Sequence, residues 1–187
     1  MASRRRFLAL TAAAGVSRLL AQAAAAPITP ASGGGEVSPY RRLSETRAKV
    51  LSAFGELLLP GAAAAGLPQY IDRQLDLPAA NQVLMIRYLG VPPPYESFYM
   101  SGLDALDGLA RARHRRSYAE LPTDAAEEIV GALARGDPEP WSGPPASLFY
   151  FVVRNDVVDV VYGTQAGFAA LSIPYMAHIS PPAAWPK

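Results

Sequence analysis

Residues with the chemistry of catalysis are few in this chain, and their spacing does not assemble a site. The two histidines, His114 and His178, lie in no recognisable motif. His178 near Tyr175 has the makings of a general base, but a histidine at a polar loop edge more often caps or faces solvent. Asp156 and Asp159, with Glu127 and Glu128, form no metal-ligand pattern with either histidine. The chain has no cysteine, which excludes disulfides, thiolate catalysis, iron–sulfur ligation by cysteine and c-type haem attachment. No GxGxxG fingerprint, phosphate loop or GxSxG elbow occurs. Arg111, Arg113, His114, Arg115 and Arg116 cluster in one short run. They read as a patch for phosphate or anionic lipid or, on the stronger reading, as cations favoured at a helix C-terminus by about 0.3–1 kcal/mol each. The expectation is a chain with no catalytic, metal or cofactor-binding residues of its own, any chemistry belonging to a partner.

The strongest local signal is at the start. Ser3-Arg4-Arg5-Arg6-Phe7-Leu8 is a twin-arginine pattern, with Arg4, Arg5, Phe7 and Leu8 as the export address. A moderately apolar run follows from Leu8 to Ala26, with small-residue cleavage sites at Ala21-Gln22-Ala23 and just after it. Its alanines and Arg18 make it too short and too weakly hydrophobic to span a membrane. The alternative is an amphipathic helix that stays attached. The export reading implies the twin-arginine (Tat) translocase as a partner and the periplasm as destination. It also changes the charge. The whole chain carries +1, but losing Arg4, Arg5, Arg6 and Arg18 leaves 13 basic against 16 acidic residues, or −3. Nucleic acid is not an expected partner.

At 187 residues, half of them hydrophobic, the chain suffices for one domain with a proper core. The reading divides it into a leader (1–26), a Pro/Gly/Ser linker (27–42) and a helical domain (43–187). Ser44 is the expected N-cap of a first helix, whose Val50, Leu51, Phe54, Leu57 and Leu58 recur at helical spacing up to Pro60. Gly61 to Gly66 reads as a turn, and Leu67, Ile71 and Leu75 as a short helix ending before Pro78. Val83, Leu84, Ile86 and Leu89 suggest another, closed by Gly90 and the Pro92-Pro93-Pro94 corner. A longer helix is expected from Tyr95 to Arg115, with Tyr99, Leu103, Leu106, Leu109 and Ala110 inward and Asp104, Asp107 and Arg111 outward. Thr123 is the expected N-cap of the next, which carries Ile129, Val130 and Leu133 and ends at Gly136.

Two stretches need arbitration. Leu148 to Tyr162 is rich in valine and aromatic residues and has strand propensity. It lacks alternation, exceeds the usual strand length and has no partner strand in sight, so it reads as a buried helix. Tyr162 to Lys187 combines aromatic residues with Gly163, Gly167 and the prolines 174, 181, 182 and 186. Prolines forbid one long helix, yet Phe168, Leu171, Ile173, Tyr175, Met176 and Ile179 are too apolar for a free tail. The stretch reads as a coil laid over the chain's own helices or over another protein. On the second view Tyr162, Gly163, Gly167, Phe168, Ile173, Pro174, Tyr175, Met176 and Trp185 bind the partner. The fold expected is all-α, a small irregular helical bundle with a long Pro/Gly/aromatic C-terminal coil.

The leader, Ala53-Phe54-Gly55-Glu56-Leu57-Leu58-Leu59-Pro60, Tyr70-Ile71-Asp72, and Val161-Tyr162-Gly163 with Gly167-Phe168 and Ile173-Pro174-Tyr175 occur in this order. In that order they resemble the gluconate 2-dehydrogenase subunit 3 family over nearly all the mature chain. Thr164-Gln165 stands where many members show a second glycine and an asparagine. The resemblance implies a small, helical, exported, non-catalytic subunit. It would accompany a large FAD-bearing dehydrogenase of the glucose–methanol–choline type, acting on a sugar, sugar acid or alcohol and passing electrons to a cytochrome c subunit. Its implied tasks are to supply the export signal and to help the large subunit mature, in the periplasm or held at the inner membrane through the complex. Two other classes stay open: a free-standing periplasmic binding protein with a pocket lined by Tyr162, Phe168 and Tyr175, and a small hydrolase or isomerase with a cryptic site.

Overall fold

In the computed structural model the described residues are 40–172 and 182–185, all within one unit, Pro39–Lys187. They form six α-helices and three short 3-10 turns, with no strand among them. The all-α expectation holds for these residues.

Helix α1 spans Glu45–Leu58, and Ser44 caps it as expected, its hydroxyl accepting from the Arg47 N–H. Val50, Leu51 and Phe54 point inward and are buried. At the helix end the Glu56 carboxylate accepts from the N–H groups of Gly61 and Ala63, at 2.9 and 3.0 Å, and so organises the turn that follows. Gly55 lets α2 (Leu67–Asp76) approach, since a Cβ there would lie 2.2 Å from the Leu67 side chain. Ahead of α1, the buried Asp72 of α2 takes the N–H groups of Arg41, Arg42 and Leu43 on its two oxygens.

The helix expected around Val83–Leu89 is instead a five-residue 3-10 turn, Met85–Leu89, preceded by another at Ala79–Asn81. Only Leu84 and Ile86 of its apolar set are buried, while Val83 and Leu89 are exposed. Its N–H groups are taken from outside the segment: Val83 donates to the Gln74 side chain and Met85 to Asp156, which leaves too little for an α-helical ladder.

Helix α3 (Glu96–His114) buries the predicted stripe of Tyr99, Leu103, Leu106, Leu109 and Ala110. Asp107 differs from its expected outward position. Its side chain is 14% exposed and accepts from the Ser117 hydroxyl at 2.5 Å and the Tyr118 N–H at 2.9 Å, drawing the Tyr118–Glu120 turn back onto the helix. Helix α4 (Thr123–Arg135) begins one residue earlier than predicted: Pro122 occupies the cap position and Thr123 is already helical. Gly136, at a φ of 82°, ends it as expected.

Helix α5 (Ala146–Tyr162) confirms the helical reading of the valine-rich run and touches each of the other five helices. Phe149, Val152, Val153, Val157 and Val160 are fully buried. Phe149 stacks on Phe54, 5.9 Å between centroids, and Tyr118 meets Phe54 edge-on. Each such side chain removed from water contributes about 1.5–3 kcal/mol. β-branched residues lose little by being helical when every contact they make lies in a core. A sixth helix, α6 (Gln165–Ala170), opens the C-terminal stretch where only coil was expected.

Candidate functional site

The C-terminal stretch begins where α5 stops at Gly163, whose N–H still reaches the Asp159 carbonyl at 2.8 Å. Thr164 then caps α6, its hydroxyl accepting from the Gly167 N–H at 3.1 Å. Thr164 thus has a structural task. Gly167 is buried, and a Cβ on it would lie 2.5 Å from the Tyr162 Cα, so only glycine lets α6 fold back so closely. The chain returns to this corner at its end. The Pro182 carbonyl accepts from the Gln165 N–H at 3.1 Å. The Trp185 indole N–H donates to the Val160 carbonyl at 3.0 Å, and its ring meets Tyr70 edge-on at 5.1 Å. A Cβ on Gly163 would come within 3.1 Å of that indole.

Gly163, Gly167 and Trp185 therefore make contacts inside this chain, while Tyr162 and Phe168 are half-buried beside them. Ile173, Pro174, Tyr175, Met176 and His178 lie outside the described residues, as do Arg4, Arg5, Phe7 and Leu8 of the expected leader. Close by on α5, Phe151 and Val158 share with Tyr162 one outward line at helical spacing, and the first two are each 40% exposed. A cleft of about 600 Å³ lies elsewhere, lined by Lys49, Glu56, Arg111 and Glu120 among others, with no residue of the C-terminal stretch.

Two arginines of the basic run ending α3, Arg111 and Arg113, are engaged locally. Arg111 pairs with Asp107 at 2.8 Å, and Arg113 holds both Glu128 of α4 and the Glu139 carbonyl. His114 stands 3.9 Å from Glu128. Such pairing joins α3 to α4 and suits the helix-terminus reading. Among the described residues no group of three or more histidines and carboxylates is placed to hold a metal ion.

Two carboxylates carry more structure than sequence reasoning assigned them. Asp72 is the anchor for three successive N–H groups at 2.7–2.9 Å. Asp156 is wholly buried and accepts from the Tyr99 hydroxyl at 2.6 Å and the Met85 N–H at 2.8 Å. Burial pushes its pKa up to about 7 despite those two hydrogen bonds, with Asp159 adding to the rise. The signal was available in register: Asp156 falls four residues after Val152 and four before Val160, on the inward face of α5.

The segments by which the chain resembles its family are thus structural. Phe54, Gly55 and Glu56 build the α1–α2 junction, Tyr70 and Asp72 hold Trp185 and the 41–43 segment beside the buried Ile71, and Gly163 and Gly167 fold the last described helix back. No curated protein and no solved structure matches the chain. The family model described as gluconate 2-dehydrogenase subunit 3 matches residues 45–177, more than two-thirds of the chain. By that match, the chain belongs to the gluconate 2-dehydrogenase subunit 3 family.

Proposed function

We propose that this protein is the non-catalytic small subunit of an exported, FAD-dependent dehydrogenase of the glucose–methanol–choline type. Its large partner holds the flavin, oxidises a sugar, sugar acid or alcohol, and passes electrons to a cytochrome c subunit. The observation that carries the reading is the family match over residues 45–177. The site geometry agrees with it: the described family-resemblance residues serve packing, capping and chain-end anchoring.

On this reading the leader with Arg4 and Arg5 directs the assembled pair to the Tat translocase, and the complex works in the periplasm. The C-terminal stretch from Tyr162 contributes to the grip on the large subunit. Tyr and Trp supply wide contact area with few rotatable bonds, and prolines reduce the freedom lost on docking. Trp185 then has two tasks: it fixes the chain end to α2 and α5, and it sets where the remainder of the stretch meets the partner.

The test is to express the chain with a periplasmic affinity tag in its native host. A yellow, FAD-bearing large chain should co-purify in fixed proportion. A folded tagged chain recovered from the periplasm without any flavoprotein would overturn the reading.

A further inference from the structure

The side chain of Asp156 lies on the inward face of α5, and nothing of it reaches solvent. One oxygen accepts from the Met85 N–H and the other from the Tyr99 hydroxyl. The groups that act on it are Tyr99 from α3, the Met85 N–H from the 3-10 turn and Asp159 from its own helix. Tyr70 of α2 faces it as well, with Tyr88 of the turn beside Tyr70. Among the described residues, no lysine, arginine or histidine is one of these groups.

We propose that Asp156 is a proton-operated clasp: in its neutral form it pins the Met85–Leu89 turn to α5, and its ionisation releases that turn. A carboxylate buried without a cation has two ways to recover solvation, which are to take up a proton or to open a path to water. The weakest wall of its pocket is the turn. Met85–Leu89 is only five residues long, and its hydrogen bonds to the rest of the chain include the Asp156 bond, the Arg87 N–H to Leu84 carbonyl bond and the Arg87 side chain on the Gln82 carbonyl, with Val83 just before it bonded to Gln74. The other walls are helices α2, α3 and α5. Release would uncover Leu84 and Ile86, now fully buried, next to the already exposed Val83, Tyr88 and Leu89. The protein would gain a patch of apolar surface that depends on pH.

The sign follows from linkage. Burial raises the Asp156 pKa in the closed form to about 7, from an ordinary value of 3.8. The closed form is therefore favoured fully below about 4, and that advantage is lost as pH rises to about 7, beyond which nothing more is lost.

Hydrogen exchange on the full-length chain tests this, reading peptides over 83–90 and correcting for the intrinsic pH dependence of exchange. The opening constant should rise about tenfold per pH unit between about pH 4 and 7 and then level off. Carbon-13 NMR of the Asp156 carboxyl should titrate at about pH 7, where the opening constant levels off. The Asp156→Asn chain, whose amide can still accept from Met85 and donate to the Tyr99 oxygen, should show a flat opening constant. A carboxyl titrating in the ordinary range, or protection over 83–90 indifferent to pH, would overturn the proposal. The two wild-type measurements decide the matter even where the variant fails to fold.

Discussion

Arg41, Arg42 and Leu43 give their three N–H groups to a single carboxylate, Asp72, at 2.9, 2.8 and 2.7 Å. No helix or sheet ladder is available to these residues, and the Leu43 side chain must still reach the core, where it is 4% exposed. One buried acid therefore substitutes for secondary structure at the point where the chain enters the fold. Asp72→Ala should cost about 2–3 kcal/mol, because hydrogen bonds to a charged group are lost and donors near the core are left unpaired. Asp72→Asn should cost less, since Oδ1 still accepts from Arg42 and Leu43 and only the Arg41 N–H meets an amide donor. Urea midpoints for the two variants should fall in that order, and equal midpoints would dismiss the Asp72 anchor. Two glycines of α3 make a matched comparison. A Cβ on Gly102 would lie 2.3 Å from the Phe149 ring, whereas one on Gly108 would meet nothing within 4 Å. Gly102→Ala should destabilise by roughly 1–3 kcal/mol through overpacking. Gly108→Ala should stabilise by about 0.5–1 kcal/mol of helix propensity and so raise the melting temperature.

At the scale of elements, α5 organises the molecule and the chain's end is bound to it. Trp→Ala in a full core costs about 3–5 kcal/mol. Trp185 is only partly buried, so Trp185→Ala should cost about 1–3 kcal/mol and leave a folded chain, as thermal melting would show. Ending the chain at Ala170 removes the same tryptophan and should weaken the fold by at least as much. If the stretch also grips the large subunit, the truncated chain should stay soluble and no longer retain that subunit in a pull-down. Much of this architecture was legible from spacing. Ser44 announced α1, the stripe from Tyr99 to Ala110 announced α3, and the absence of alternation made α5 a helix despite its valines. What spacing missed had non-local causes. The Met85–Leu89 turn is shaped by bonds to Gln74 and Asp156, 71 residues away in the second case. Asp107 looks like an outward residue of α3 until the following turn folds back and donates to it. Helix α6 is six residues long and rests on the Thr164 cap and the close packing of Gly167, neither of which periodicity reports. Of the candidate surface, the sequence identified Gly163, Gly167 and Trp185 as special but could not tell internal contacts from external ones, because aromatic residues and glycines serve both.

At the scale of the whole molecule, the proposed division of labour separates an address from a body. The first described contacts of the body are made by Tyr40 to Leu43, where Asp72 holds the chain. A chain beginning at Pro39 should therefore melt at the same temperature as one beginning at Pro27, since the anchoring donors are kept in both. The address can be changed without touching that body. Converting Arg4 and Arg5 together to lysine keeps the charge and the apolar run that follows, so membrane attraction and leader hydrophobicity are unaltered. What is lost is the guanidinium pair, the feature by which the twin-arginine signal is recognised. The double variant should accumulate folded in the cytoplasm, with the same melting temperature as the wild type once the leader is removed. A large subunit without a leader of its own should be held back in equal measure, because it would travel only as a passenger of this chain. Fractionation and immunoblotting of both subunits read the two outcomes separately. Normal periplasmic delivery of the variant would refute the address. Retention of this chain alone, with the large subunit still exported, would leave the address intact and refute the shared passage.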